Sequence, residues 1–345
     1  MKRKLFIYLF ISIASLLLIS IGAMYMGIYD FQEQSILVII ESFFTGNSDD
    51  VGITDRYVFL EVRLARIVMA ILIGSALAVS GTVMQGIFKN PLATPDLIGI
   101  TSGATLMAAI TIVLGSYFNQ FLPVIVQNSL LSIASFFGAL LTTILVYRIS
   151  ITSGRTNVTI MLLSGVAISS LGFAIVGFMI YLSKEEQLRD LTFWTLGSLS
   201  AATWSKNAIL LIVILISYIL LMNKGKALNA LMLGEKDAEH LGINVEGVKR
   251  QIVLLTALMV GICVAFSGTI GFVGLIVPYI LRLIFKSNYQ LILPLSAVVG
   301  AILLLLADTF SRVVVAPAEV PIGVLTAFLG APIFIAILIR YKKSM

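Results

Sequence analysis

The chain has 345 residues, of which 59% are hydrophobic and 12% charged, with a formal net charge of +6. Its mean hydropathy of +1.07 excludes an ordinary soluble domain, where about a quarter of the residues are charged, and points to a polytopic all-α membrane protein. One cysteine and one histidine exclude an internal disulfide and any Cys- or His-built metal centre, and the positive charge reads as membrane orientation rather than nucleic-acid affinity.

In chain order, Lys2-Arg3-Lys4 precedes an apolar run over 5–27. That run is longer than a signal-peptide core and lacks a small-x-small cleavage site, so it reads as a retained membrane helix. About twenty apolar residues span a bilayer, and the hydrophobic runs predict ten crossings: 5–27, 66–86, 97–114, 121–147, 158–182, 205–222, 252–268, 272–285, 291–311 and 321–339. The crossing at 272–285 is short and follows a glycine-rich break. With both termini in the cytoplasm, 16 of the 23 basic residues fall on the inner side, as the positive-inside rule requires. The whole chain, 1–345, reads as one transmembrane domain with two long loops. The outer loop, 28–65, carries seven acids (Asp30, Glu33, Glu41, Asp49, Asp50, Asp55 and Glu61), and its apolar run 35–44 is placed at the interface. The inner loop, 223–251, holds Leu231–Gly242, which reads as one short amphipathic helix ended by glycine.

A nine-residue pattern, Gly-x-x-x-Ala-x-Ser-Gly-Thr, occurs twice: Gly74, Ala78, Ser80, Gly81, Thr82 and Gly261, Ala265, Ser267, Gly268, Thr269. The next proline, Pro91 or Pro278, follows the second glycine by ten residues in both copies. The topology makes the two helices antiparallel, an inverted repeat of the kind transporters use. Small residues at this spacing also let membrane helices approach closely. Between Asn90 and Gly103, two prolines and two glycines interrupt any regular helix. This is a tight inner turn, a constriction in a water-lined path, or both.

Arg63 and Arg66 stand at the outer end of the second crossing, and Arg312 follows the ninth. They read either as snorkelling anchors or as an outward-facing basic set for carboxylates on a docking partner. Asp308 is the one acid deep in a crossing and so a candidate proton relay. Arg312, one turn away, offers it an internal ion pair. The sequence has no Gly-x-x-x-x-Gly-Lys-Ser/Thr loop, no His-Glu-x-x-His and no credible Ser-His-Asp set, so it contains no catalytic residues for ATP hydrolysis by a phosphate loop or for proteolysis.

These stretches resemble the permease subunit of type II ABC importers, the family that takes up ferric siderophores, haem and vitamin B12. The resemblance rests on Arg63-Leu64-Ala65-Arg66 through Ser80-Gly81, Asn90-Pro91-Leu92-Ala93, Pro95 and Gly99 to Gly103. It continues in Leu233-Gly234-Glu235 with Ala238 and Leu241-Gly242, in Gly271–Pro278 with Arg282, and in Leu306–Asp308 through Glu319-Val320-Pro321-Ile322-Gly323 to Gly330-Ala331-Pro332. It implies a multi-pass bacterial plasma-membrane protein without cofactor or metal, surrounded by lipid and binding no nucleic acid. Its implied partners are two cytoplasmic ATP-binding subunits, an extracytoplasmic substrate-binding (lipo)protein, and a second permease copy or sister permease. By motif, Arg63, Arg66 and Arg312 resemble arginines that engage the binding protein. Leu233, Gly234, Glu235, Ala238, Leu241 and Gly242 resemble the ATPase coupling segment. Asn90 and Leu92 match the cytoplasmic gate, to which Thr159 is added by position.

Two positions depart from the family pattern. Tyr279 follows Pro278 where histidine is usual, which removes a titratable group, and Ala65 stands where proline is usual. The expected function is import of a ferric siderophore by a chain that is not itself an enzyme. The alternatives are a haem or vitamin B12 permease, an ion-coupled secondary transporter, and a membrane subunit with no transport.

Overall fold

The computed structural model describes residues 2–29, 31, 38, 39, 41, 52–119 and 123–343. Asp30, Glu33, Asp49, Asp50 and most of the apolar run 35–44 lie outside the described residues. The elements are α1 (Lys2–Tyr25), α2 (Ile53–Tyr57), a π-helical stretch (Val58–Leu64), α3 (Ala65–Ile87), a 3-10 turn (Pro95–Ile98), α4 (Ile100–Asn119) and α5 (Val124–Ile149). A hairpin of β1 (Ile151–Thr152) and β2 (Arg155–Thr156) leads to α6 (Val158–Leu182), α7 (Glu185–Leu196) and α8 (Trp204–Met222). Then follow α9 (Gly225–Leu233), α10 (Glu235–His240), α11 (Val245–Ser267), α12 (Val273–Phe285), α13 (Tyr289–Val313) and α14 (Ile322–Lys343).

Seven helical stretches among the described residues are long and apolar enough to cross a membrane, and three shorter apolar ones, Ile100–Gly115, Val273–Phe285 and Ile322–Ala336, complete the ten expected. Helix α12 has 13 residues, about 20 Å at 1.5 Å per residue, and is short of a bilayer core of about 30 Å. The segment 268–272, with Gly268 and Phe272 both at positive φ, extends it without helical hydrogen bonding. Such backbone is tolerated at membrane depth where protein surrounds it.

Helix α3 is the axis. It is unbroken in burial from Ala76 to Ile87 and packs against α13, α12, α11 and α8. Its glycines make this possible. A Cβ on Gly74 would lie 2.4 Å from the carbonyl oxygen of Gly300, and one on Gly81 would lie 1.8 Å from that of Gly274. The first repeat copy is thus a close-packing face toward α13 and α12. The second behaves differently. Gly261 faces Ala139 and Phe136 on α5, and Gly268 ends α11 at φ +68, with the Trp194 carbonyl 2.1 Å from where its Cβ would be. Gly81→Ala is expected to cost at least about 3 kcal/mol, the upper end of overpacking penalties, because a backbone oxygen cannot yield. Thermal unfolding of the purified chain measures it, with Gly177→Ala as the control, since nothing lies within 4 Å of a Cβ there.

Three boundaries differ from the sequence expectations. The outer loop ends at residue 52, because Val58, Phe59, Leu60, Val62 and Leu64 carry helix from Ile53 continuously into α3. The segment Leu231–Gly242 is two helices rather than one, divided at Gly234, whose φ of +153 no helix accommodates. Residues 245–251 belong to α11 rather than to the inner loop. Helix α7 falls between the crossings expected at 158–182 and 205–222, with Glu185 and Glu186 in its first turn and Gly197 after its last as start and stop signals.

Candidate functional site

At the start of α3 and the end of α13 the three arginines are turned inward. Arg66 is 6% exposed. Its Nε donates to Asp308 Oδ1 at 2.8 Å and its Nη1 to Glu319 Oε1 at 2.9 Å. Arg312, 5% exposed, pairs with the other oxygen of Asp308 at 3.3 Å and donates to the Met26 carbonyl at 3.2 Å. Arg63 donates to the carbonyls of Met24 and Tyr29 and stacks 4.4 Å over the Phe31 ring. The expected outward-facing basic set is therefore a buried ionic knot that also ties α1 to α3 and α13. Burial drives this arrangement, because a guanidinium out of water needs carboxylates and carbonyls around it. Nearby, Tyr29 donates to Asp55 at 2.5 Å, and that bond to a carboxylate raises the phenol above its ordinary value.

Glu319 keeps 36% of its side chain exposed. Arg66 and Glu319 together line two cavities, one of about 270 Å³ with Phe193, Ser198, Ser200 and Pro321, and one of about 180 Å³ with Tyr29, Val62, Arg63 and Arg312. Sequence reasoning found the Asp308–Arg312 pair through its i, i+4 spacing but missed Glu319 as a partner, because 253 residues separate it from Arg66.

The interrupted segment after α3 is a series of capped turns. Asn90 Oδ1 accepts the Leu92 N–H at 2.9 Å, its carbonyl accepts the Ala93 N–H at 3.1 Å, and Gly99 closes the 3-10 turn at φ +81. The turn is wedged against α6, where a Cβ on Gly165 would lie 1.9 Å from the Leu97 carbonyl oxygen. Ser102 and Ser169 hydroxyls meet at 3.0 Å. Thr159, exposed at the start of α6, has its backbone N–H capped by Asn157 Oδ1 at 3.0 Å. Among the described residues no hydrogen bond joins it to Asn90 or Leu92.

On the opposite side from the arginines, α9 and α10 present two bare leucines. Leu233 is 70% exposed and Leu241 64%, whereas Ala238 between them is fully buried. Gly242, at φ +81, ends α10, and the Ile243 N–H returns to the Ala238 carbonyl at 3.0 Å. Beneath the pair lies Lys249, 1% exposed. Its ammonium donates to Glu235 Oε2 at 2.8 Å, to the Thr156 carbonyl at 3.1 Å and to Glu246 Oε1 at 3.4 Å. Glu246 in turn accepts the N–H and hydroxyl of Thr156 at 2.8 and 2.6 Å. One lysine thus joins α10, the β1–β2 hairpin and α11. Its sequence signal was the stripe Val245, Val248, Lys249, Ile252, Val253, all buried, in which a charge stands in a helix's inward face.

Ten apolar helical stretches packed as one all-α bundle define a polytopic membrane protein. Residues 9–340 match the FecCD transport family, and the chain belongs to that family. It is 41% identical to the hemin transport system permease protein HmuU of Yersinia pestis, over 84% of this chain and 85% of that one. It is 38% identical to the vitamin B12 import system permease protein BtuC of Vibrio vulnificus, over 83% and 84%. A solved inward-facing structure of a metal-chelate type ABC transporter superposes with a TM-score of 0.82 at 31% identity, covering 96% of this chain and 98% of that one. The chain is an ABC importer permease in a membrane. It is not an enzyme, and ATP hydrolysis falls to separate subunits.

Proposed function

We propose that this permease imports an iron chelate, with haem ahead of the ferric siderophore that the sequence alone favoured. The 41% identity to a hemin permease supports this order, and the similar vitamin B12 permease supplies the competing cargo. In this reading residues 1–345 act as one permease domain with both termini cytoplasmic, paired with a second copy or a sister permease. A loaded binding protein docks over Arg63, Arg66 and Arg312. Two ATPases seat the segment Leu233, Gly234, Glu235, Ala238, Leu241 and Gly242. Their movement opens a gate at Asn90, Leu92 and Thr159.

The observation that carries the ATP-driven reading is the pair of exposed leucines on either side of a pinned helix, α10. Each would gain about 1.5–3 kcal/mol if fully covered by a partner, and the Lys249–Glu235 contact keeps α10, between them, from yielding when pushed. The test is uptake into vesicles holding the permease with its ATPases, supplied with loaded binding protein. Haem uptake that requires ATP and exceeds vitamin B12 uptake is expected. Equal or greater vitamin B12 uptake overturns the haem assignment, and uptake that persists without ATP under an ion gradient overturns the ATP-driven reading.

Docking has a separate test. Arg66 already holds Glu319, so a partner carboxylate competes with an internal one. Glu319→Gln removes that competitor's charge. It is expected to tighten binding-protein association and steepen its salt dependence. Unchanged affinity and unchanged salt slope would remove Arg66 from the docking surface.

A further inference from the structure

A cavity of about 480 Å³ lies between α5, α8 and α11, away from the ionic knot, the interrupted segment and the leucine-tipped helices. All three helices contribute the ends nearest the arginine side: the first half of α5, the start of α8 and the end of α11. The lining changes character along its length. Ser129, Thr203, Ser205 and Lys206 lie at the end nearest the arginines, with Phe266 near the end of α11, whereas Phe136, Phe137, Ile209 and Ile262 lie further along, with Ser132 and Ile133 between. From Ser129 to Phe137 is eight residues of helix, about 12 Å at 1.5 Å per residue. On α5 and α8 the lining therefore passes from polar to apolar along the helix axes, the direction in which a bilayer passes from headgroups to chains. Ile133, Phe137 and Ile209 are between 42 and 54% exposed, so the groove is open along its side to the surrounding hydrocarbon.

Among the described residues, Lys206 is the only charged one in that lining. Its ammonium donates one hydrogen bond, to the Ala201 carbonyl at 2.8 Å, and no carboxylate pairs with it among the described residues. An ammonium has three donors, so two remain to face an anion at the polar end. The Thr203 hydroxyl accepts the Lys206 backbone N–H at 3.4 Å, and the Ser129 and Ser205 hydroxyls share its end of the lining.

We propose that this groove is a binding site for an anionic phospholipid, whose phosphate sits on Lys206 with the Ser205 and Thr203 hydroxyls and whose acyl chain lies along Phe136, Phe137, Ile209 and Ile262. Basic pockets between membrane helices hold lipid headgroups on the cytoplasmic side, and the same charge chemistry is available here on the other. With the termini cytoplasmic, the lipid belongs to the outer leaflet. The site stands whether the cargo is haem, a siderophore or vitamin B12.

Native mass spectrometry of the detergent-purified full chain tests it, using phosphatidylglycerol, phosphatidylcholine and glycerol phosphate as probes. Phosphatidylglycerol is expected to be retained about fivefold over phosphatidylcholine, the factor one lysine contributes near an anionic headgroup. Lys206→Gln should bring the two lipids to parity and Lys206→Arg should keep the preference. Ile133→Trp, which fills the trough from its open side, should lower retention of both lipids. Equal retention by the native chain, or an undiminished preference in Lys206→Gln, overturns the proposal. Glycerol phosphate held as well as the whole lipid also overturns it, because the trough would then contribute nothing.

Discussion

Asp308→Asn is expected to cost the folded permease about 3–5 kcal/mol, the usual effect of removing one partner from a buried ion pair. The carboxylate is fully buried and holds Arg66 at 2.8 Å and Arg312 at 3.3 Å. Asparagine keeps the shape but cancels the charge, leaving two buried guanidiniums with Glu319 alone, and that acid reaches only Arg66 among the described salt bridges. The loss should appear as a lowered thermal midpoint and a poorer yield of monodisperse protein. Uptake per folded complex should survive, because the acid is spent on architecture. A transporter driven by an ion gradient would behave in the opposite way, folding normally and losing uptake. The double variant Asp308→Leu with Arg312→Met removes both the carboxylate and one of its cations. It should recover part of the stability lost in Asp308→Leu alone. Equal loss in the two would show that the pair is not coupled.

The same residues show what a sequence can and cannot reveal. All ten apolar stretches were visible, because composition and length decide whether a segment crosses a bilayer. The Asp308–Arg312 pair was visible because helical spacing makes it local. The inward turn of Arg63 and Arg66 was not. Near a predicted helix end a guanidinium reads as a snorkelling or docking group, and its real acceptors, Glu319 and the carbonyls of Met24 and Tyr29, come from distant parts of the chain. The repeat was legible as a pattern, but the different uses of its copies were not. Gly81 faces the backbone of α12 and Gly268 ends a helix, and identical residues give no hint which neighbour each will meet. Position 234 shows the limit of periodicity. Apolar residues on both sides suggested a single helix, while one glycine at φ +153 divides it and sets Leu233 and Leu241 on separate segments. The 3-10 turn at Pro95–Ile98 was foreseen as an interruption because proline and glycine act locally. Its seat against Gly165 was not, because that contact depends on the packing of α6.

Breaking the lysine node on the leucine side should separate ATP hydrolysis from transport. Lys249 connects α10 to α11 and to the hairpin that leads into α6, so a push on Leu233 or Leu241 reaches two membrane helices through one ammonium. Glu235→Gln is the cleaner lesion. Glu235 is 41% exposed on its side chain, so the stability cost should stay within about 1 kcal/mol, and Lys249 keeps Glu246 and the Thr156 carbonyl. Uptake per ATP hydrolysed should nonetheless fall about fivefold or more, the low end of a coupling free energy of about 1–3 kcal/mol between two sites. Lys249→Met goes further. It removes the cation from Glu235, Glu246 and the Thr156 carbonyl, while Glu246 keeps its Thr156 bonds, and should lower stability by about 1–2 kcal/mol as well as uncoupling the two events. Lys249 is a positioning residue in this account, since it touches neither nucleotide nor cargo. Stability alone therefore does not test it. The deciding quantity is the ratio of cargo moved to ATP consumed, measured in the assembled transporter with Lys249→Arg as the conservative control. A ratio unchanged in Glu235→Gln and in folded Lys249→Met would make the node a simple structural tie. A ratio that falls in both and recovers in Lys249→Arg makes it the joint through which the leucine-tipped helices move the bundle.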